Sequence, residues 1–261
     1  MLRQRVITAV IALAILALVL FVVPPLMAEL VIPLIILAAA WEWSGFLGSN
    51  TPATRIFYVV FIAALMASVG MVWPDGVERV LQVAVIWWLL ALIWTFLFPT
   101  PIPVFLRWIC GALVLVPLYA ALVLLYQATP SLLLFVLLIV WAADIGAYFV
   151  GKQYGRVKLA PSISPGKTWE GVIGGLVLVA LLALGRSFWF ETDLAIIVPF
   201  CLGVAGVSIV GDLTVSMFKR TAGLKDSGTL FPGHGGVLDR VDSVAAAAPL
   251  FALGLSWTGL G

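Results

Sequence analysis

Long apolar stretches recur along almost the whole chain, and short polar segments separate them. Most of these stretches are about 17–21 residues long, the length a helix needs to cross a hydrocarbon core of about 30 Å. Proline and glycine mark several of the joints, as at Pro24-Pro25,. The pattern predicts nine transmembrane helices, at Val6–Val23, Leu26–Trp43, Ile56–Trp73, Val80–Phe98, Phe105–Tyr126, Ser131–Val150, Val172–Phe190, Leu194–Met217 and Val241–Trp257.

The composition supports a polytopic membrane protein. Hydrophobic residues make up 64% of the chain and charged residues 10%, against about 45–50% and 25% in soluble domains. The net charge of +2 is too small to imply a nucleic-acid partner. We predict an all-α integral membrane protein without a soluble domain, with N-terminal helices in residues 1–130 and C-terminal helices in residues 131–261.

The distribution of lysine and arginine predicts the orientation. With the N-terminus in the cytoplasm, the alternation of nine helices places all 14 cations except Arg79 and Arg186 on the cytoplasmic side. An excess of Lys and Arg is typical of cytoplasmic segments. We therefore predict that the C-terminus lies outside and that the two long polar loops, 151–171 and 218–240, face the cytoplasm.

Residues 216–242 hold most of the candidate chemistry. They contain five glycines, the only histidine, His234, and the cations Lys219, Arg220, Lys225 and Arg240. Glycines let backbone amides approach a phosphate, and the cations neutralise it. Asp239 and Asp242 share one face if a helix begins here, and such carboxylates opposite cations suit a Mg2+–nucleotide site. The alternative is an ordinary solvated, positively charged inside loop.

Ionisable residues within predicted helices are costly and often functional, and four cases are clear. Asp144, Asp212 and Glu42 lie near cytoplasmic ends, and Glu29 lies near an outer end. Asp144 and Asp212 lead into the two polar loops, so they could meet Asp239 and Asp242 at the membrane surface. Interhelical hydrogen bonding is the structural alternative, and for Glu42 both readings stay open.

The first polar loop contains Ser164-Pro-Gly-Lys167-Thr168 just before a predicted helix. It lacks the spacing of a nucleotide-binding phosphate loop and follows no predicted strand, so we reject that assignment. An anion pocket at the helix N-terminus and a simple helix cap both remain open. Gly171, Gly174 and Gly175 would let this helix pack closely against a neighbour. For His234 we favour phosphate contact or loop ordering over a role as general base.

Residues Ser216 to Asp242 resemble the C-terminal signature of the phosphatidate cytidylyltransferase family, also called CDP-diacylglycerol synthases, and match it at every fixed position. Residues 164–171 and 144–148 resemble two further recurring stretches of that family. The resemblance implies transfer of the cytidylyl group of CTP to phosphatidate with Mg2+, in an all-helical membrane protein that is often a homodimer. It also implies a bacterial inner membrane location with a cytoplasmic active site.

The resemblance further implies roles for individual residues. Metal binding is expected of Asp212, Asp239 and Asp242, with Asp144 as a fourth ligand or outer-shell partner. The triphosphate, the lipid phosphate and the pyrophosphate are expected to contact Lys167, Lys219, Arg220, Lys225 and Arg240, and further substrate contacts are expected of Ser164, Thr168, Ser216 and His234. A lipid-alcohol kinase and, from another class, a transporter are the alternatives.

Overall fold

The computed structural model describes residues 13–48, 51–71, 76–230 and 235–258, which are almost entirely helical. Residues 13–21 form the described part of helix α1. The later elements are α2 (Pro25–Trp43), a 3-10 turn (Ser44–Phe46), α3 (Pro52–Met71), α4 (Val77–Leu97), α5 (Val104–Ala128), α6 (Pro130–Tyr154), β1 (Lys158–Ala160), β2 (Ser164–Thr168), α7 (Trp169–Phe190), α8 (Leu194–Thr221) and α9 (Leu238–Thr258).

Helices α2 to α8 are each long and apolar enough to cross a membrane. They confirm the prediction of an all-α integral membrane protein. Among the described residues, α1 contributes only one short helical stretch, and α9 is not one of these seven candidate spans. The count of nine spans and the orientation of the termini therefore stay predictions.

Helix α9 lies in the middle of the bundle, where it packs against α4, α5, α6 and α8. Its centre, residues 244–248, is a buried run of one valine and four alanines, and Phe251 is buried a turn later. Small side chains let neighbouring helices approach closely. A helix that contacts protein on most sides needs fewer of the bulky apolar residues that face lipid.

The C-terminal ends of α6 and α8 extend beyond the predicted spans. The sequence predicts ends at Val150 and Met217, whereas α6 continues to Tyr154 and α8 to Thr221. The polar loops are correspondingly shorter, and the basic end of α8 lies on a rigid helix instead of in a loop. The first loop also contains an antiparallel hairpin of β1 and β2 that the sequence analysis did not predict.

Four helices meet at one end of the bundle, next to the polar segments: α2, α4, α5 and α8. The ring centroids of Trp43 and Phe218 are 5.0 Å apart, and those of Trp94 and Phe218 are 6.0 Å apart. The Nη1 of Arg107 donates to the Phe46 carbonyl at 2.8 Å, and the Trp43 indole donates to the Arg107 carbonyl at 2.9 Å. These contacts hold the helix ends together next to the polar segments.

Candidate active site

Close packing of α6 against α7 positions the first part of the site. A Cβ added at Gly175 would lie 2.5 Å from the Ala143 carbonyl oxygen, and one at Gly146 would lie 2.5 Å from the Gly174 carbonyl oxygen. The predicted close approach of α7 is therefore confirmed, and its neighbour is α6. This packing fixes Asp144, which follows Ala143 directly, relative to the segment that enters α7.

The hairpin leads into α7 through a helix cap. The hydroxyl oxygen of Thr168, which is buried, accepts a hydrogen bond from the Gly171 amide at 3.2 Å. The Glu170 carboxylate accepts from the Val157 amide at 3.1 Å and ties the start of the hairpin to the same turn. The capping reading is thus confirmed for Thr168, and Lys167 lies one residue before this N-cap.

Helices α8 and α9 also approach closely, at Gly211. A Cβ there would lie 2.5 Å from the Asp242 carbonyl oxygen and 2.9 Å from the Ala246 Cβ. The residue after Gly211 is Asp212, so the contact brings its carboxylate beside that of Asp242. The two charges act on each other.

Lys167 joins the three carboxylates, which we call the acidic cluster: Asp144, Asp212 and Asp242. Its Nζ lies 2.5 Å from Asp212 Oδ2, and its charge also interacts with those of Asp144 and Asp242. Burial disfavours the charged ammonium, but the three carboxylates outweigh this effect and raise the pKa of Lys167 above its ordinary value,. The lysine therefore stays protonated and offsets part of the negative charge.

Exposure increases across the acidic cluster toward α6. Asp242 is 8% exposed. The side chains of Lys167 and Asp212 are 26% and 25% exposed, and Asp144 is exposed. The Ser216 hydroxyl donates to Asp212 Oδ1 at 3.1 Å and holds that carboxylate from the side of α8. The acidic cluster is thus buried on the side of α9 and exposed on the side of α6, and we call this exposed opening the recess.

A second ion pair lies next to the acidic cluster. Lys219 Nζ and Asp239 Oδ1 are 2.8 Å apart, and both side chains are almost fully buried. Asp239 Oδ2 accepts from the amides of Ser227 and Gly236, each at 2.9 Å. Asp239 lies in the first turn of α9, which begins at Leu238 and not at the predicted Val241, so Asp239 and Asp242 belong to one helix. Its carboxylate orders the preceding loop through these contacts.

Glu42 is a residue for which the sequence left both a structural and a functional reading open. It comes from α2 and is 8% exposed, yet it accepts hydrogen bonds from the loop that precedes α9. Its position between two tryptophans is typical of a membrane interface and hid this role. Two glycines of the distant loop, Gly228 and Gly236, leave room for it, but no local pattern connects them to Glu42.

The remaining predicted residues occupy varied positions. Arg220 donates from Nε to the Ile163 carbonyl and from Nη1 to the Leu224 carbonyl, each at 3.1 Å, so it links the hairpin to the loop after α8. Lys225 and Arg240 are exposed, and the charge of Arg240 acts on Asp144. Ser164 begins β2. His234 lies outside the described residues.

The donor chemistry fits Mg2+ with a substrate present. Within the described ranges, no group of three or more His, Cys, Asp or Glu side chains is placed to hold a metal ion by itself. Mg2+ commonly takes only one or two carboxylates together with substrate phosphates. The acidic cluster offers such carboxylates, whereas Asp239 is engaged by Lys219 and two backbone amides.

Comparisons with known proteins show the family of this helical membrane protein. The profile of the cytidylyltransferase family matches residues 3–257. The chain is 42% identical over 270 residues to the phosphatidate cytidylyltransferase of Pseudomonas aeruginosa, covering 100% of this chain and 99% of the relative. It is 36% identical over 281 residues to that of Haemophilus influenzae, covering 97% and 98%. The chain belongs to the cytidylyltransferase family.

A shorter match has a higher sequence identity. Over 128 residues the chain is 47% identical to the phosphatidate cytidylyltransferase of Brucella suis, which covers 46% of this chain and 45% of the relative. The two matches over nearly whole chains show that the relatives share the full length of this protein.

Proposed function

We propose that this protein transfers the cytidylyl group of CTP to phosphatidate, which yields CDP-diacylglycerol and pyrophosphate for phospholipid synthesis. The observation that carries the proposal is the acidic cluster around Lys167, at the point where α6, the hairpin, α8 and α9 meet. Two relatives that match over nearly their whole length carry the name of this activity.

The reaction needs no base and no covalent enzyme intermediate. The phosphatidate phosphate is already anionic near neutral pH, and one of its oxygens attacks the α-phosphorus of CTP. A bond forms between this oxygen and the α-phosphorus while the bond to the β-phosphate oxygen breaks, and pyrophosphate leaves. The protein contributes positioning and charge neutralisation.

The cations of the site suit those tasks. Lys167 is held among carboxylates beside the opening of the recess, so a triphosphate that enters can exchange for one of its contacts. Lys219 is buried with Asp239, and Arg240 lies exposed at the first turn of α9. In this proposal these three groups bind the phosphates of the two substrates and stabilise the leaving pyrophosphate.

Mg2+ is the proposed cofactor. When bound, it would neutralise charge on the triphosphate as pyrophosphate leaves. Asp212 and Asp242, with Asp144 at the mouth of the recess, are the residues that would hold it together with substrate oxygens. Their support is the carboxylate chemistry and the mutual electrostatic interaction of the three side chains.

The lipid is proposed to enter sideways from the membrane. Asp144 is exposed on α6, and the exposed apolar side chains of Ile145, Tyr148 and Phe149 follow it. A phosphate group can therefore reach the recess while the acyl chains stay in an apolar surrounding. The excess of Lys and Arg among these segments favours the cytoplasmic side of a bacterial inner membrane. A homodimer stays a prediction from the resemblance.

The position of bond cleavage tests the function. Purified protein in detergent is given phosphatidate, Mg2+ and CTP labelled at either the α- or the γ-phosphate. We expect the α-label in the lipid and the γ-label in pyrophosphate, with neither released when lipid or metal is omitted. If the γ-label enters a lipid alcohol, the protein is a kinase. If no label moves with any lipid or nucleotide, the enzyme proposal fails and transport becomes the better hypothesis.

A further inference from the structure

Glu42 is a buried carboxylate at the end of α2 that binds a distant part of the chain. Its Oε2 accepts from the Ser227 hydroxyl at 2.9 Å and from the Leu238 amide at 2.8 Å, and its Oε1 accepts from the Val237 amide at 3.0 Å. These donors lie in the loop between α8 and α9 and at the start of α9. Helix α2, from the N-terminal part of the chain, thus contributes a side chain to the candidate active site.

The loop is shaped to fit this carboxylate. A Cβ added at Gly228 or Gly236 would overlap with the Glu42 side chain, so only glycine permits the observed contact at these two positions. The Val237 and Leu238 amides belong to the beginning of α9, where helix amides have no partner within the helix. An anion at this end is also favoured by the helix dipole.

The same loop is bound from its other side by Asp239. Ser227 and Gly236 donate their backbone amides to Asp239 Oδ2, while the Ser227 hydroxyl and the next amide after Gly236 bind Glu42. The two carboxylates therefore bind the same two segments of the chain, one at Ser227 and one at Gly236 and Val237. Displacing Glu42 would release a constraint on Asp239 and, through it, on Lys219.

We propose that Glu42 is a positioning residue for cytidylyl transfer: it fixes the loop and the first turn of α9 and thereby sets where Lys219, Asp239 and Asp242 stand relative to the substrates. Glu42 is not proposed to touch the reacting phosphates. Its neighbour Trp43 packs on Phe218, which precedes Lys219, so the end of α2 supports both sides of the site. The inference rests on the proposed function.

A Glu42→Gln substitution probes this arrangement because the two backbone amides approach different oxygens of the carboxylate. A carboxylate accepts both hydrogen bonds, whereas a carboxamide has only one acceptor oxygen and offers its amino group to the second N–H. The side chain keeps its size, but one amide of the loop loses its partner. The loop must then shift to relieve the conflict.

The experiment compares purified Glu42→Gln with the wild type and with Glu29→Gln. Glu29 lies on the same helix at its other end, where its carboxylate accepts a 3.5 Å hydrogen bond from Gln127. We expect Glu42→Gln to lower kcat about a hundredfold, the loss typical of a catalytic group misplaced by about 1 Å, with little change in KM for CTP or phosphatidate. Glu29→Gln should behave like the wild type.

The fraction of folded protein is measured by thermal unfolding for each variant, and kcat is taken per folded molecule. If kcat per folded molecule is normal in Glu42→Gln, the residue stabilises the fold without positioning the site, and the proposal is overturned. If that variant does not fold, Glu42→Asp decides: it keeps two acceptors but withdraws them by one methylene. A normal kcat in Glu42→Asp would contradict the proposal, and a reduced one with normal folding would support it.

The wild type separates this inference from the proposed function. A wild-type protein that transfers no label from CTP counts against cytidylyl transfer itself. An active wild type with an equally active Glu42→Gln variant counts only against the role of Glu42.

Discussion

Asp239 and Asp242 lie three residues apart on α9, but their surroundings differ. Asp239 is neutralised by Lys219 and accepts two backbone hydrogen bonds. Asp242 is buried beside the like charge of Asp212, with Lys219 and Lys167 as more distant cations. One carboxylate thus holds structure together, whereas the other adds negative charge to a recess that already contains it.

Because of these different surroundings, we expect Asp239→Asn to lower mainly the stability and Asp242→Asn to lower mainly the activity. Asp239→Asn leaves Lys219 buried without its counter-ion, and breaking a buried ion pair costs about 3–5 kcal/mol. Asp242→Asn removes a repulsive charge, so unfolding stability should stay equal or rise. Its activity should fall by about a hundredfold or more, as for the loss of one well-placed electrostatic group. Thermal unfolding in detergent and pyrophosphate release measure the two effects.

Asp193→Asn is the matched control for this pair. Asp193 caps α8 at the opposite end of the bundle by accepting from the Ala195 amide, and asparagine caps helices about as well. It should change neither quantity. Equal loss of stability in the Asp239 and Asp242 variants would contradict the division of roles, as would full activity of Asp242→Asn.

At the scale of helices, the acidic cluster depends on how closely α8 approaches α9. Gly211 is the contact point, because an added Cβ would lie 2.5 Å from the backbone of α9. Gly206, on the same helix, has no heavy atom within 4 Å of the corresponding position. The two glycines therefore form an internal pair for testing the role of helix spacing.

We expect Gly206→Ala to keep full activity and to gain up to about 1 kcal/mol from helix propensity. Gly211→Ala gains the same propensity but must push α9 away, which displaces Asp212 from Asp242. Its activity should fall by about tenfold or more, because catalytic groups tolerate little misplacement. Thermal unfolding and initial rates measure both variants. Equal activity of the two alanine variants would show that the spacing at Gly211 does not matter.

The helices could be predicted from sequence because the length of an apolar stretch reports directly on a membrane span. The C-terminal ends of α6 and α8 were predicted less well. The last turns of α6 and α8 carry polar residues, so an apolar pattern stops short of Tyr154 and Thr221. The hairpin has no alternating pattern, and β2 includes Pro165 and Gly166, which disfavour a strand assignment,.

The site residues, like the helices, could be predicted where the sequence itself shows an unusual pattern. Asp144 and Asp212 were found because charge is unusual in an apolar stretch, and Lys167 because it lies in a Pro-Gly-Lys-Thr run before a helix. The structure brings the three together. The partners of Glu42 are mostly backbone amides far along the chain. Backbone amides leave no signature in a sequence, so only the fold reveals that contact.

At the scale of the whole molecule, the polar segments collect at one end of the bundle. The end of α2 contacts the start of α9 through Glu42, and the end of α8 contacts the hairpin through Arg220. Glu29 and Gln127 meet at the opposite ends of α2 and α5. These contacts at opposite ends of the bundle agree with successive helices that cross the membrane in opposite directions. The Lys and Arg excess then predicts which end faces the cytoplasm.

Single cysteines test that orientation. In a background with the buried Cys110 and Cys201 replaced by alanine, Val157→Cys marks the exposed side of the hairpin, and Glu191→Cys marks the exposed connection between α7 and α8. An impermeant maleimide applied to spheroplasts should label position 191 and reach position 157 only after the membrane is opened. Because CTP is supplied from the cytoplasm, labelling of position 157 in intact spheroplasts would contradict both the predicted topology and the proposed location of the active site.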